Sequence, residues 1–160
     1  MSKRRKAVTV NDHGYPVVTV YTDGSCRTDT KAGGWAAVLI CGSHEQELSG
    51  RADNTTNNRM ELTAVIQALK SLDATCEVHL FTDSKYVITG TIYARKWKKA
   101  GWRNWKFEEV ANTDLWDEYL TEAARHIIKI KWVKGHVGIE HNERCDKLAK
   151  AARDNKSLAA

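Results

Sequence analysis

Four carboxylates are the residues of this sequence best suited to chemistry. Asp23, Glu61, Asp83 and Asp146 lie in the strings TDGS, TNNRMEL, TDSKY and NERCDKLA. Two divalent cations held close together need several acidic ligands, whereas a chain of net charge +5 gains nothing from massing carboxylates without an ion. If the four converge, they form a metal-dependent phosphoryl-transfer site. Oxygen ligands without a Cys/His cluster favour Mg²⁺ or Mn²⁺.

Each carboxylate also has an ordinary structural interpretation. The four interpretations are independent, so all of them must hold together to explain the acids without an ion. Because that would be a coincidence of four, we favour a shared site. The ordinary interpretations are a turn dipeptide for Asp23, a capping box opened by Asn58 for Glu61, an N-cap for Asp83 and an exposed ion pair with Lys150 for Asp146.

The hydrophobic pattern predicts the elements that position these acids. A first strand over Tyr15–Thr22 ends at Asp23, and a buried strand over Glu77–Thr82 ends at Asp83. If the two strands are parallel neighbours, both carboxylates emerge at one sheet edge, where open α/β folds bind their ligands. Glu61 is placed in the first turn of its helix. The other predicted strands cover 33–41, 44–50 and 127–133. Helices are predicted from Thr56, from Asp83, after a cap at Thr113 and near residues 141–152.

This order of elements predicts an α/β protein with a mixed sheet and helices on both faces. The chain has 160 residues, of which 42% are apolar, so one domain with a full core is expected. We divide it into a basic extension (1–14), a domain (15–152) and a short tail (153–160). A pI near 9.0 favours polyanionic partners.

Four cysteines without a CxxC pair are expected to be reduced thiols of a cytoplasmic protein. The longest uninterrupted apolar run has strand length, and no apolar segment follows the basic N-terminus. We therefore expect a monomer with no membrane segment and no small-molecule organic cofactor.

Seven ordered motifs resemble those of bacterial ribonuclease HI, over about Val17 to Ala152. The resemblance implies a ribonuclease H-like fold with a five-stranded mixed sheet. It also implies an endonuclease that uses two Mg²⁺ ions to cut the RNA strand of RNA–DNA hybrids, leaving 5′-phosphate and 3′-hydroxyl ends. The four acids match the family's metal-binding carboxylates, and His136 matches its mobile-loop histidine. The motifs are TDGSC, TTNNRMEL, TDSKYV, WKKAGW, TDLW, WVKGHVG and NERCDKLA.

The chemistry agrees with these residues. In-line hydrolysis of a phosphodiester needs one ion for the attacking water and a second for the leaving 3′-oxygen, with Asp23 as the natural bridge. His136, between Gly135 and Gly138, could carry a proton near neutral pH. It could instead be a loop histidine without a role, or part of a zinc site with His141 and Cys145. The spacing of these three residues matches no familiar zinc site.

A basic stretch is the first candidate for substrate binding. Residues 84–107 contain no acid, and their cations alternate with tryptophans, a composition that can follow a phosphate backbone. In the family this region is a basic protrusion that grips the DNA strand. The alternative is a solvated helix whose tryptophans anchor the core, which we expect of at least one of them. From this region we select Lys85, Trp97, Lys98 and Lys99.

A second candidate for substrate binding lies beside the acids. The backbone of Gly24, Ser25 and Cys26, together with Asn57 and Asn58, could contact the 2′-hydroxyls that distinguish RNA from DNA. The alternative for Asn57 is a helix cap.

The loop after TDGSC departs from the family pattern. The family usually carries a glycine- and proline-rich loop with an asparagine, whereas here Asp29 lies near the asparagine's place. An added carboxylate should repel a phosphate backbone, and Arg27 and Lys31 could offset it.

Two other functions remain as alternatives. The same fold could carry another nuclease, or a module that binds hybrids without turnover. The TTNNRMEL and WVKGHVG strings argue against the first alternative, and the complete set of four acids argues against the second.

Overall fold

A five-stranded sheet in the order β3-β2-β1-β4-β5 organises the chain. The computed structural model describes residues 8–134 and 140–156. The strands are β1 (Val17–Cys26), β2 (Gly33–Cys41), β3 (His44–Ala52), β4 (Glu77–Thr82) and β5 (Ile127–Trp132). The helices are α1 (Asn57–Lys70), α2 (Lys85–Lys99), α3 (Thr113–Ala123) and α4 (Glu140–Arg153).

The sheet is mixed, as the order of elements predicts. β1, β2 and β3 pair antiparallel, while β4 pairs parallel with both β1 and β5. Successive side chains of a strand point to opposite faces. Val20 belongs to the core that includes α1 and α3, whereas the Tyr21 ring lies 5.1 Å from the His141 ring of α4. Helices therefore cover both faces, and the predicted fold class is confirmed.

The first strand differs from its prediction. The Asp23-Gly24 dipeptide is not a turn, because β1 continues to Cys26 and pairs Asp23 with Ala36 and Gly24 with Trp35. The hydrophobic alternation ends at Thr22 because the following residues face a polar cleft, although their backbone still belongs to the sheet. The predicted end of the strand at Thr22, and with it the turn interpretation, is wrong.

The start of α1 also corrects the sequence analysis. Thr56 is the N-cap, and its side chain accepts a hydrogen bond from the Arg59 backbone N–H at 3.2 Å. Asn57 and Asn58 are therefore the first two helical residues and neither is the cap. Glu61 is the fifth residue of the helix and lies in its second turn. The predicted capping box opened by Asn58 is wrong.

Two further caps differ by one residue from the predictions. Ser84 caps α2 by accepting from the Val87 backbone N–H at 3.1 Å, so Asp83 precedes the cap and is free of that role. Asn112 precedes α3 in the left-handed conformation (φ 59°), and Thr113 is the first helical residue. A hydroxyl beside an acid competes for the cap position, and the sequence does not separate the two.

The core lies between the sheet and the helices α1, α2 and α3. Trp116 is fully buried there, and α2 crosses directly over its ring at Gly90, where no larger residue would fit. Trp97 and Trp102 pack against the same core, so the prediction that a tryptophan of the basic stretch anchors the core is confirmed. All four cysteines are free thiols. Within residues 8–134 and 140–156, no helix is long and apolar enough to cross a membrane.

Candidate active site

The parallel pairing of β1 with β4 brings two of the predicted acids together. The last pair of that ladder is Tyr21 with Phe81, and carrying the register two residues further places Asp83 level with Asp23. Asp23, Glu61 and Asp83 each present a carboxylate oxygen within 4.8 Å of the other two. Three acids that are far apart in sequence thus share one point at the sheet edge.

A close approach of two backbones explains how Glu61 reaches this point. A Cβ atom on Gly24 would lie only 2.6 Å from the carbonyl carbon of Met60 and still closer to the backbone nitrogen of Glu61. Only glycine, which has no Cβ, lets the second turn of α1 rest on β1 here. Gly24 therefore sets the position of Glu61 relative to Asp23.

The three acids repel one another in a poorly hydrated place. Asp23 is only 6% exposed, and Asp83 is half-buried. Burial is the main cause that raises the pKa of Asp23 to about 8, and repulsion from Asp83 is the next. The Gly24 backbone N–H opposes this by donating to Asp23 Oδ1 at 2.9 Å. The metal-free site therefore favours the protonated form of Asp23.

Burial and the repulsion from neighbouring acids affect the pKa of Glu61 even more strongly than that of Asp23. It is 7% exposed, and burial, followed by repulsion from Asp23 and Asp83, raises its pKa to about 9. Its Oε2 atom is buried and has no hydrogen-bond partner. A divalent cation would remove the repulsion and supply the missing partner, so these residues fit an oxygen-bound metal. They form the one group of three or more potential metal ligands within the described part of the chain.

Asp146 lies at the rim of this cluster, on α4. Its side chain is 20% exposed, and Lys150 one turn later forms an ion pair with it at 3.0 Å, so the predicted pair exists. The charge of Asp146 also contributes to the raised pKa of Asp23. The same helix carries Cys145, which is buried and donates to the Tyr21 carbonyl at 3.2 Å. That thiol is used in packing α4 onto the sheet.

A cleft of about 430 Å³ opens over the acids. Its wall includes five of the predicted substrate-binding residues and three residues that the sequence analysis did not select for this role. Of these three, Ser84 adjoins Asp83 and Lys150 lies four residues after Asp146, which are the signals that could have identified them. The lining residues are Asp23, Gly24, Ser25, Asn57, Asn58, Glu61, Asp83, Ser84, Lys85, Tyr86, Asp146 and Lys150.

Cys26 does not line this cleft. Its thiol donates to the Thr55 carbonyl at 3.4 Å, which ties the end of β1 to the residue before the α1 cap. The side chain of Cys26 is thus engaged with the protein itself.

The basic stretch extends away from the acids along α2. Lys85 lines the cleft, while Trp97, Lys98 and Lys99 lie at the other end of the helix, about 20 Å away at 1.5 Å per residue. The Lys98 ammonium pairs with Asp117 at 2.7 Å. A second groove of about 580 Å³ follows this end of α2, and Trp97 forms part of its wall.

Two predictions concern loops beside the site. His136, with Gly135 and Gly138, lies outside the described residues. Asp29 is exposed, and its Oδ1 accepts from the Thr30 backbone N–H at 2.8 Å. Arg27 pairs with Asp154 at 2.8 Å.

Comparisons with known proteins agree with this geometry. A family model described as RNase H matches residues 16–154. The Ribonuclease H of Aeromonas salmonicida is 50% identical over 143 residues, covering 89% of this chain and 93% of that protein. The Ribonuclease H of Chromohalobacter salexigens is 51% identical over 140 residues, covering 87% of this chain and 85% of that protein. The crystal structure of LC9-RNase H1, described as a type 1 RNase H with the type 2 active-site motif, matches with a TM-score of 0.80. It is 28% identical and covers 92% of this chain and 76% of that one.

Proposed function

The chain belongs to the ribonuclease H family, and from this premise we propose that it cuts the RNA strand of RNA–DNA hybrids with two Mg²⁺ ions. One observation carries the metal dependence. Three buried or half-buried carboxylates share a point, and one oxygen among them, Oε2 of Glu61, has no partner. Mn²⁺ is the alternative ion, because it takes the same oxygen ligands.

Each acid has a role that follows from its place. Asp23, Glu61 and Asp83 would hold the ions from the sheet edge and from α1, and Asp146 would complete the set from the rim. When bound, the ions position the attacking water and stabilise the leaving 3′-oxygen, which gives 5′-phosphate and 3′-hydroxyl ends. Asp23 is proposed to contribute to both ions, because it shares one point of the sheet edge with Glu61 and Asp83.

Recognition of RNA is assigned to the wall of the cleft. The exposed amides of Asn57 and Asn58 at the start of α1 line the cleft with Gly24 and Ser25, and these four residues are proposed to contact 2′-hydroxyls near the cut. Cys26 would contribute only its backbone. Lys85, Trp97, Lys98 and Lys99 would contact the DNA strand along α2, mainly through its phosphates.

His136 is proposed to move a proton to or from the leaving group. His136→Ala should then slow turnover by at most about 10²–10⁴-fold, because water can partly replace a side chain in proton transfer. Single-turnover rates across pH at saturating Mg²⁺ test this. The variant should lose a rate change in the histidine range that the wild type shows. Equal rates at neutral pH would make His136 a spectator.

One experiment tests the proposal as a whole. The protein is incubated with labelled RNA–DNA hybrid, duplex RNA and duplex DNA, each with and without Mg²⁺. Only the hybrid should be cut, only in its RNA strand and only with the metal. Cutting of duplex DNA would indicate another nuclease on the same fold, and tight binding without cutting would indicate a hybrid-binding module.

Metal binding has a test that does not depend on activity. Calorimetric titration with Mg²⁺ should give a binding signal for the wild type that Glu61→Gln weakens, because the variant loses an ionic ligand. Sedimentation of the same samples tests our expectation of a monomer. The cytoplasmic location and the absence of an organic cofactor remain predictions.

A further inference from the structure

A second cluster of charged side chains adjoins the cleft beyond the end of β1. There a cavity of about 520 Å³ is bounded by the loop after β1, by β3 and by the end of α4. Its wall holds four cations and two acids, so its net charge is positive. We call the four cations the arginine patch: Arg27, Arg51, Arg153 and Lys156.

Asp154 lies among the cations of the arginine patch and accepts hydrogen bonds from two of them. The Arg153 guanidinium donates through two nitrogens to the two Asp154 oxygens, each at 3.0 Å, and Arg27 Nε donates to Asp154 Oδ1 at 2.8 Å. These partners hold the pKa of Asp154 well below its usual range. Two guanidinium groups are therefore held in place around one carboxylate, which neutralises only one of them.

Arg153 also joins the patch to the cleft. Its Nη1 donates to the hydroxyl oxygen of Ser25 at 2.8 Å, and Ser25 lines the cleft over the acids. A hydroxyl that accepts in this way keeps its own proton to donate. Arg51 completes the connection, since its Nε donates to the Arg153 carbonyl at 3.2 Å. The cleft and the patch therefore form one continuous surface.

The outer cations of the patch face the solvent. The side chains of Arg27 and Arg51 are 45% and 39% exposed, and Lys156 is exposed as well. Asp154 orders the guanidinium of Arg27, and Asp53 pairs with that of Arg51 at 2.6 Å. A guanidinium group has five N–H donors, so each keeps donors that can bind a phosphate. The patch thus offers a prearranged site for a polyanion.

The position of the patch relates it to the substrate. Arg27 comes four residues after Asp23, about 13 Å along an extended strand. One strand of a duplex advances about 3.4 Å per nucleotide, so this distance spans about four nucleotides. The patch lies beyond the end of β1 and beside β3, whereas α2 packs against β4 and β5. Basic surfaces therefore flank the acids on both sides.

We propose that Arg27, Arg51 and Lys156 form a second phosphate-binding surface for the hybrid, opposite α2 and about four nucleotides from the cut. Asp154 and Arg153 hold this surface in position. The inference rests on the proposed function, because it assumes that the hybrid lies over the acids. It adds to the proposed function a second region of contact with the hybrid, in which Asp154 fixes the positions of Arg27 and Arg153.

The test compares two doubly neutralised proteins. Arg27→Gln/Lys156→Gln removes two charges from the patch. Lys70→Gln/Arg125→Gln removes two at the opposite end of the molecule, where α1 and α3 end. Hybrid binding is measured by fluorescence anisotropy in EDTA, from about 50 to about 200 mM KCl. Thermal melts verify that each protein folds. Lys156→Gln alone changes one exposed side chain and keeps the test valid if the double variant melts early.

The patch variant should bind several-fold more weakly at low salt. The slope of log K against log salt should fall by roughly 0.7–0.9 for each phosphate contact removed. KM should rise while kcat at saturating hybrid stays near that of the wild type. The control should match the wild type in both slope and KM.

Two results would overturn the inference. One is a slope equal to that of the control, and the other is a loss of kcat with an unchanged slope, which would assign the patch to the structure of the site. The wild-type protein in the same assays tests the proposed function separately. If the wild type neither binds nor cuts the hybrid, the proposed function fails; if only the comparison with the control fails, the patch is not a substrate contact.

Discussion

The acid cleft gathers charges of one sign in a buried place, whereas the basic surfaces beside it gather charges of one sign in contact with solvent. In the cleft, Asp23 and Glu61 are buried and their repulsion is strong, because little water screens them. On α2, Lys96, Lys98 and Lys99 are exposed, so water and salt screen their repulsion. The repulsion among the buried acids destabilises the metal-free fold, and a bound cation would remove it. The exposed lysines destabilise the fold little and remain available to bind a polyanion.

This contrast separates catalysis from binding. The cleft is built from a strand register, a glycine contact and the buried face of a helix, so small shifts there should be costly. The basic surfaces depend on exposed side chains, so their contributions should be graded and sensitive to salt. The predictions below test that separation, from the largest expected effect to the smallest.

Removing one charged ligand should give the largest effect. Asp83→Asn should abolish Mg²⁺-dependent cleavage while the protein remains folded, because the ion loses an anionic ligand that an amide replaces poorly. Asp23→Asn and Glu61→Gln should do the same, and Asp146→Asn at the rim should be the most tolerant. Cleavage of labelled hybrid measures this. Near-normal cleavage by Asp83→Asn would contradict the two-metal assignment.

Adding one methyl group at Gly24 should give the next largest effect. The new Cβ atom would overlap the backbone of Met60 and Glu61, so the second turn of α1 must shift. A displacement of about 1 Å in a catalytic group can lower the rate by about 10²-fold. The overpacking should also destabilise the fold by about 1–3 kcal/mol.

Gly50→Ala is the matched control for that variant. It is also crowded, but against the side chain of Trp35 on β2, the strand between β3 and β1, and not against the backbone of α1. It should lower the melting temperature and leave kcat almost unchanged. Equal losses of kcat in the two glycine variants would show that the rate depends on general stability and not on the contact at Gly24.

Neutralising the basic end of α2 should give a moderate effect that depends on salt. Lys96→Gln/Lys98→Gln/Lys99→Gln should weaken hybrid binding with little change in the maximal rate. Each lost phosphate contact should lower the slope of log K against log salt by roughly 0.7–0.9. Lys98 already pairs with Asp117, so its share should be the smallest. An unchanged slope would leave this stretch as a solvated face.

The prediction with the smallest effect on the rate concerns the stability of the metal-free protein. Folding raises the pKa of Asp23 from 3.8 to about 8 and that of Glu61 from 4.5 to about 9. Between these values the folded state holds protons that the unfolded state has released, so the free energy of unfolding falls as the pH rises from about 4 to about 9. Asp23→Asn should reduce this decline.

Calorimetric melts in EDTA measure this dependence. Relative to the wild type, Asp23→Asn should be more stable at pH 8 than at pH 5, and Mg²⁺ should reduce or reverse the difference by stabilising the wild type. A wild-type protein whose melting temperature does not fall between these pH values would show that the acids are better hydrated than their burial indicates.

Much of the fold could be predicted from local patterns. The strands 33–41 and 77–82 have the predicted bounds, because alternation and glycine turns are local signals. The predicted end of β1 was wrong by four residues and the caps of α1, α2 and α3 by one or two, because caps and strand continuation depend on what lies opposite them. Asp23-Gly24 has the composition of a turn, and only the pairing with Ala36 and Trp35 of β2 makes it part of a strand.

For the candidate site, too, one part could be predicted from the sequence and another part depends on the tertiary structure. The sequence by itself determined which acids could bind an ion, because their residue types and neighbouring strings suffice for that. Only the tertiary structure decided that Asp23, Glu61 and Asp83 meet within 4.8 Å while Asp146 remains at the rim. Only the tertiary structure could join Arg153 to Ser25, which is 128 residues away. Periodicity reports which side of an element is buried, whereas the packing of distant elements sets which charges share one place.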